Sequence, residues 1–253
     1  MIKIVKPTNI PKKLSVQGNA ENISNSNDYD AHTVSYLNGI RAHSFKNAIY
    51  GHSSVKSVLK KAQHNKCCFC ERDQIEEFGA VEHFRPKAAF KSKRKQKLIK
   101  PGYYWLAYKW DNLFFVCGNC NSSKYKGNLF PLVNEARRVR THAGNITQED
   151  PLLIHPVHKD PRDHIFFRNE LVDAKDKYGF NTISICGLDR ETLNTKRAEV
   201  IDNVNARLVI LANEAAHDQK DVDAARKYLK RAKTPTAEFS SCVIDYMASL
   251  GVN

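Results

Sequence analysis

The chain has 253 residues, and 40 Lys and Arg against 27 Asp and Glu give it a formal net charge of +13. This length suits one sizeable core or two modest ones, and a hydrophobic content of 42% argues against a disordered chain. The excess of positive charge favours an anionic partner such as nucleic acid, whereas no stretch approaches the roughly 18 apolar residues of a membrane span. The N-terminus also has no apolar stretch long enough for secretion, so we expect a cytoplasmic protein without membrane contact.

The first two segments differ in pattern. Residues 1–27 are basic and then rich in Asn and Ser, which predicts a loosely held N-terminal arm. Residues 28–66 instead show helical periodicity, with apolar side chains near one face of each of two segments: Ala31, Val34, Leu37, Ile40 and Ala42, then Val55, Val58, Leu59 and Ala62. We expect two helices that pack on the back of the segment that follows.

Residues 67–131 hold two C-x-x-C pairs, Cys67 with Cys70 and Cys117 with Cys120. Four thiolates at this spacing are typical of a closed tetrahedral Zn²⁺ site, whereas a redox dithiol would need only one pair. A closed site of this kind has no open position for water, so any hydrolysis must use other residues. The remaining cysteines are interpreted as small buried hydrophobes: Cys68, Cys186 and Cys242.

A short strand is expected between the two pairs, over Gly79–Pro86. It carries Glu82 and His83 at adjacent positions, which point to opposite sides of a regular strand. From Phe84 to Trp110 nine Lys and Arg occur without an acidic residue. Such a run is either a solvated loop or a contact for nucleic acid, and the sequence leaves both open.

An aromatic cluster precedes the second cysteine pair: Tyr103, Tyr104, Trp105, Tyr108 and Trp110. Aromatic rings can stack on nucleic-acid bases, but large rings at close spacing more often pack inward. We therefore interpret the tryptophans as core residues that hold the loop carrying Asn112. Leu113–Val116 then predicts a short apolar strand, and GNCNSSK predicts a helical turn.

Residues 132–253 combine a loop region with helices. Prolines punctuate the chain from Asn128 to Asp163, and the three histidines near there lack a regular ligand spacing, so no metal site is predicted from them: His155, His158 and His164. A capped helix is expected from Asp189, with one apolar face formed by Leu193, Val200, Val204, Leu208 and Leu211. Further helices are expected over Val222–Leu229 and Phe239–Leu250.

Several strings together resemble an HNH endonuclease of the zinc-supported kind: CCFC, EHFRPK, KWDNL and CGNCNSSK. Three further strings, GNLFPL, LLIHP and GLDRETLNTKR, are more similar to PtuB-type HNH proteins. Those are nuclease subunits of Septu anti-phage systems, some of them encoded beside retrons. The specific match covers about Cys67–Pro131. The resemblance implies an α+β, mostly helical fold with a ββα-metal core and a four-cysteine zinc knot, flanked by N-terminal and C-terminal helices.

The resemblance also implies roles for four residues of this chain. His83 corresponds to the general base, Glu82 and Asn121 to ligands of a hydrated Mg²⁺ or Mn²⁺, and Asn112 to the residue that ties the loop and orients His83. The motif departs from its name, with Glu for Asp and a final Asn for His, and both changes favour a hard ion over zinc. Three basic residues are expected to contact substrate phosphates: Arg85, Lys124 and Lys126.

The function implied is metal-dependent cleavage of nucleic acid, with DNA favoured. Two alternatives stay open, an RNase acting on structured RNA such as transfer RNA and a zinc module that binds nucleic acid without cutting it. A zinc deaminase is poorly supported because its H-x-E and P-C-x-x-C pattern is missing. No G-x-x-x-x-G-K-[ST] occurs, so this chain alone is not an ATPase. The resemblance implies a PtuA-type ABC ATPase partner that supplies nucleotide-dependent control, and the C-terminal helices either contact that partner or complete the protein's own core.

Overall fold

The computed structural model describes residues 1–73 and 79–252. Helices and short strands are mixed along the chain, with helix predominant, and the sequence predicted this class correctly. A π-helical segment, Lys13–Gly18, leads into the first α-helix, and short 3₁₀ turns occur elsewhere. In these two ranges the α-helices are α1 (Asn19–Ala31), α2 (Thr33–Leu37), α3 (Asn47–Tyr50), α4 (Ser53–Ala62), α5 (Gly118–Asn121), α6 (Lys177–Cys186), α7 (Glu191–Ala212), α8 (Gln219–Ala232) and α9 (Ser240–Ser249). The strands are β1 (Ala80–His83), β2 (Leu113–Val116), β3 (Ile165–Arg168) and β4 (Leu171–Ala174).

The central feature is the antiparallel pair β1–β2, in which Glu82 lies opposite Phe114 and His83 opposite Leu113. All four residues of β2 are buried, whereas burial alternates along β1. The outer edge of β2 is closed by the buried amide of Gln63, which accepts from Phe115 N at 2.9 Å and donates to Phe115 O at 2.7 Å. Because an unpaired strand edge in the core would leave polar groups unsatisfied, Gln63 takes the place of a neighbouring strand.

The helix before the first cysteine pair packs as expected, because α4 buries Val55 and Leu59. The buried apolar face predicted for the first helical segment, around Val34 and Leu37, was wrong. Val34, Leu37 and Ile40 are 70%, 55% and 82% exposed. The helix is interrupted between α1 and α2, and each of the two helices buries a tyrosine instead, Tyr29 and Tyr36. The apolar residues of α2 therefore lie in solvent.

The N-terminal segment differs from the loose arm expected over residues 1–27. Met1 and Ile4 are buried, and Ile4 N donates to Pro156 O at 2.8 Å. Lys6 Nζ donates to Trp110 O at 2.8 Å and Leu113 O at 2.5 Å. This segment therefore fixes the turn before β2 rather than extending into solvent.

The C-terminal half contains a hairpin, β3–β4, and helix α6, neither of which the sequence analysis anticipated. The predicted helices from Asp189 onward are confirmed in place, although Asp189 does not cap α7: Arg190 occupies the N-cap position without a capping side-chain bond. Helix α9 is largely internal, with Ser241, Val243 and Met247 buried. It completes the protein's own core. No helix in the described residues is both long enough and apolar enough to cross a bilayer.

Candidate active site and zinc centre

The four cysteines of the two C-x-x-C pairs meet at the β1–β2 pair. Their sulfurs all lie within 4.8 Å of one another, and Cys70 Sγ is 3.8 Å from Cys117 Sγ. A tetrahedral Zn²⁺ with Zn–S bonds of about 2.3 Å requires sulfurs about 3.8 Å apart. All four side chains are buried and none forms a disulfide. The donor set therefore fits a structural zinc ion, as the spacing predicted.

The backbone around the cysteines has the form of two tight turns. Cys117 is the N-cap of α5, where its Sγ accepts from Cys120 N at 3.5 Å, and Glu71 N donates to Cys67 O at 3.1 Å. The Arg190 guanidinium donates twice to Cys120 Sγ, each at 3.6 Å. Burial alone would lower the pKa of Arg190, but the surrounding thiolates raise it above its usual value. Arg190 thus offsets part of the negative charge of four thiolates and secures α7 to the centre.

His83 lies at the end of β1 and is 2% exposed. Its Nε2 is 2.9 Å from Ala107 O. Because a carbonyl oxygen only accepts, Nε2 carries the proton and Nδ1 keeps its lone pair. Burial, together with nearby Lys87, holds the pKa of His83 well below its ordinary value. The ring is therefore neutral, and the lone pair of Nδ1 faces Lys87 Nζ at 3.5 Å; a general base must be in this neutral form.

Asn112 holds together the segments that carry His83 and its acceptor. Its Oδ1 accepts from Arg85 N at 2.7 Å, and its Nδ2 donates to Arg85 O and Leu106 O, each at 3.1 Å. Arg85 is two residues after His83, and Leu106 directly precedes Ala107. The buried Asn112 amide thus fixes the distance between the imidazole and the carbonyl that sets its tautomer. These hydrogen bonds are in line with the role that the resemblance implies for Asn112, which stays a prediction.

Glu82 is on the opposite side of β1 from His83, as the alternating burial of the strand requires. Its Oε1 lies 2.6 Å from Lys126 Nζ. Lys126 is fully buried and also donates to His83 O at 2.7 Å. The contact with Lys126 uses one oxygen of the carboxylate, so Oε2 is the atom that would bind a metal ion. Asn121 ends α5, which packs against β1, and its side chain is half-buried.

Two lysines that the sequence analysis did not single out lie beside this site. Lys87 Nζ is 3.5 Å from His83 Nδ1 and 4.8 Å from the centre of the Tyr50 ring. In the two described ranges, no carboxylate forms an ion pair with it. Lys6, described above, pins both ends of the turn that contains Asn112. The EHFRPK string was the one signal that pointed to Lys87, and no local pattern pointed to Lys6.

The three residues expected to bind phosphate lie in different settings. Arg85 Nε donates to the fully buried carboxylate of Glu149 at 2.9 Å, so its charge is paired internally. Lys126 is enclosed, as above, and Lys124 is exposed. Lys124 and Lys91 line an open groove with Arg94, which donates to Lys124 O at 2.6 Å. The basic run is therefore ordered and lies against the segment after α5.

The aromatic cluster is confirmed as core, with Tyr103, Tyr104, Trp105 and Tyr108 all buried and Trp110 half-buried. Tyr103 Oη donates to Glu149 Oε1 at 2.9 Å. The same carboxylate that pairs with Arg85 therefore also anchors the aromatic cluster. The four buried rings are therefore not free to stack on a base.

The fold and the site together define a mixed α and β protein organised around a buried four-cysteine cluster. No family model matches the chain. Among curated proteins, the chain is 37% identical over 164 residues to Septu protein PtuB of Bacillus mycoides (strain KBAB4). The aligned segment is 63% of this chain and 55% of that protein, so the chain spans about half the length of this relative. The similarity confirms the resemblance to PtuB-type proteins.

Proposed function

We propose that the protein is a metal-dependent HNH endonuclease, the effector subunit of an anti-phage defence complex. The observation that carries this proposal is the state of His83. It is buried, its Nε2–H is held by Ala107 O, and its Nδ1 faces Lys87 Nζ at 3.5 Å. A zinc module that only bound nucleic acid would have no use for a neutral, oriented imidazole of this kind.

The strands β1 and β2 followed by α5 have the order of a ββα-metal core, and we assign that role to them. Glu82 Oε2 and the Asn121 amide oxygen would hold the catalytic ion, and oxygen donors of this type favour Mg²⁺ or Mn²⁺. The ion, when bound, supplies positive charge to the phosphate and to the leaving oxygen. Lys126 holds the Glu82 side chain in place through Oε1 and neutralises part of its charge.

His83 Nδ1 accepts the proton of the attacking water as the water oxygen bonds to phosphorus and the phosphorus bond to the leaving oxygen breaks. Lys87, whose ammonium lies beside Nδ1, contacts a non-bridging oxygen of the same phosphate in our proposal. Lys124 and the groove next to it contact phosphates further along the strand. Arg85 and Lys126 act mainly through Glu149 and Glu82, because their charges are already paired there.

A site of this kind binds the phosphodiester and not the sugar, so it admits both DNA and RNA. We favour DNA as the substrate, with structured RNA such as transfer RNA as the alternative. We also propose a PtuA-type ABC ATPase as partner, in line with the Septu name of the relative. Helices α7 and α8 are the better candidates for that contact, since α9 is internal. Val209, on α7, is 59% exposed, so Val209→Glu is expected to abolish co-purification of the ATPase without unfolding the chain.

The decisive test incubates the purified chain and its complex with plasmid DNA and with total RNA, with and without Mg²⁺ and ATP. We expect nicked DNA in the presence of Mg²⁺, and loss of nicking in His83→Ala with zinc content unchanged. His217→Ala, an exposed histidine, is the matched control and should retain activity. Cleavage of RNA but not of DNA would identify RNA as the substrate. Binding of nucleic acid without any cleavage would support the non-catalytic zinc module instead.

A further inference from the structure

A second group of potential metal ligands lies outside the proposed active site. Asp111, His155 and His158 each offer one ligand atom, and these atoms lie within 4.8 Å of one another. His158 Nε2 is 2.7 Å from Asp111 Oδ2, and the two side chains are 61% and 60% exposed. His155, by contrast, is buried. The cluster joins the turn before β2 to the proline-rich loop that the sequence left without a role.

His155 has one ring nitrogen without a hydrogen-bond partner in the described residues. Its Nε2 lies 3.2 Å from Asp111 O, and because a carbonyl accepts, this nitrogen carries the proton. Nδ1 therefore keeps its lone pair, yet it is buried and has no hydrogen-bond partner in the described residues. Leaving a buried acceptor unpaired is unfavourable. Metal-bound histidines commonly hold their second ring nitrogen on a backbone carbonyl in this way.

The two imidazoles are stacked, with ring centres 4.2 Å apart and planes inclined by 19°. An ion binds an imidazole nitrogen in the plane of its ring, so one ion cannot lie in two nearly parallel planes. His158 must therefore turn away from the stack when an ion binds. Its exposure permits this movement, whereas His155 is fixed by Phe84 and Phe114, whose ring centres lie 4.5 and 5.1 Å away.

We propose that Asp111, His155 and His158 form a site for a divalent transition ion such as Zn²⁺, Co²⁺ or Ni²⁺. A set of two imidazoles and one carboxylate binds these transition ions in preference to Mg²⁺ or Ca²⁺. Three protein ligands leave a position open for water. Because Asp111 directly precedes Asn112, a bound ion would tie the turn that carries Asn112 to the loop around Pro156. The site stands independently of the nuclease assignment.

The experiment uses Co²⁺ as the probe, on full-length chain whose four-cysteine centre holds Zn²⁺ and whose proposed catalytic ligand is removed by Glu82→Gln. We expect binding of one Co²⁺ with weak visible bands and no thiolate charge-transfer band, because the donors are nitrogen and oxygen. Co²⁺ should also raise the melting temperature, since it binds only the folded state. His158→Ala and Asp111→Asn should each lose both effects, and neither exposed residue is needed for folding.

His164→Ala is the matched control. His164 Nδ1 is 2.5 Å from Asp176 Oδ2, so this pair resembles His158 and Asp111, but the described residues supply no third ligand. Co²⁺ binding should be unchanged in this variant. Absence of Co²⁺ beyond the cysteine centre, binding that persists in His158→Ala, or equal loss in His164→Ala would each overturn the proposal.

Discussion

The zinc centre and the surroundings of His83 share the β1–β2 pair, but their polar groups are arranged differently. At the cysteine cluster every ligand is buried, and the ligand spacing is built into two C-x-x-C turns of the chain itself. Around His83 the contacts come from distant segments, and Lys87 is left without a carboxylate partner in the described part of the chain. A centre closed by local spacing serves stability, whereas a cation without a carboxylate partner beside the His83 imidazole is a cost that the catalytic role proposed above would explain.

The largest effect is expected from Cys120→Ser, which removes one of four zinc ligands. Structural zinc contributes about 10 kcal/mol to folding, comparable with the whole stability of about 5–15 kcal/mol for a typical domain. The variant should therefore lose both zinc and folded structure, as measured by metal content and circular dichroism. Cys242→Ser is the control, because this buried thiol lies outside the cluster and should retain zinc. Equal behaviour of the two variants would contradict a zinc scaffold.

Asn112→Ala is expected to come next. It removes three hydrogen bonds and leaves the backbone N–H and C=O of Arg85 without their partner, which should lower the free energy of unfolding by about 2–4 kcal/mol. Because Ala107 O would no longer be fixed, cleavage should also fall by about 100-fold. Urea unfolding and plasmid nicking measure the two effects. Asn38→Ala, at an exposed position, should change neither, and normal nicking by Asn112→Ala would exclude its positioning role.

The two regions also differ in how far the sequence predicted them. The cysteine centre, β1, β2 and α5 follow from local spacing and short apolar runs, so they were identified correctly. The pairing of Arg85 with Glu149 was not predicted, because the two residues are 64 positions apart and no local pattern links them. The same reason hid Lys6 and Gln63. Contacts between distant segments depend on the tertiary fold, and a single sequence holds no direct signal for them.

The N-terminal helices α1 and α2 show the opposite error, because there a local apolar pattern did not determine which residues are buried. Val34, Leu37 and Ile40 have the spacing of a buried helix face, but they are exposed because the chain packs Tyr36 inward instead. The Tyr36 hydroxyl donates to Asp28, which also pairs with Arg41 at 2.6 Å. A tyrosine that buries its ring and bonds its hydroxyl outweighs three smaller apolar side chains. Hydrophobic periodicity alone does not predict which of these side chains is buried.

The pH dependence of stability in Lys6→Met tests the contacts that Lys6 makes with the turn before β2. Burial lowers the pKa of Lys6 to about 7, below the 10.5 of an unfolded lysine. Between these values the unfolded chain binds more protons than the folded chain, so stability from this residue rises as pH increases from 7 to 10.5. Lys6→Met should remove that part of the rise in urea unfolding, whereas Lys3→Met, at an exposed position, should keep it. An unchanged slope in Lys6→Met would show that the Lys6 ammonium is not held at the backbone carbonyls of Trp110 and Leu113.

The smallest effect on stability is expected from Lys87→Met. Removing a half-buried cation without a carboxylate partner should leave the melting temperature unchanged or slightly higher. Cleavage should nevertheless fall, with kcat lowered by about 10–100-fold because one contact to the reacting phosphate is lost. Lys95→Met, in the exposed basic run, should instead raise KM and leave kcat unchanged. The opposite split between kcat and KM would place Lys87 outside the reacting centre.

In our proposal scaffold and chemistry are separate, with zinc held by the cysteines and cleavage performed at Glu82 and His83. The most direct measurement determines zinc content and Mg²⁺-dependent plasmid nicking on the same sample of Glu82→Gln. This proposal predicts one zinc ion for each chain and no nicking at any Mg²⁺ concentration, with a lowered melting temperature because the buried Lys126 ammonium loses its carboxylate partner. Nicking at the unmodified rate, or loss of zinc together with activity, would contradict it.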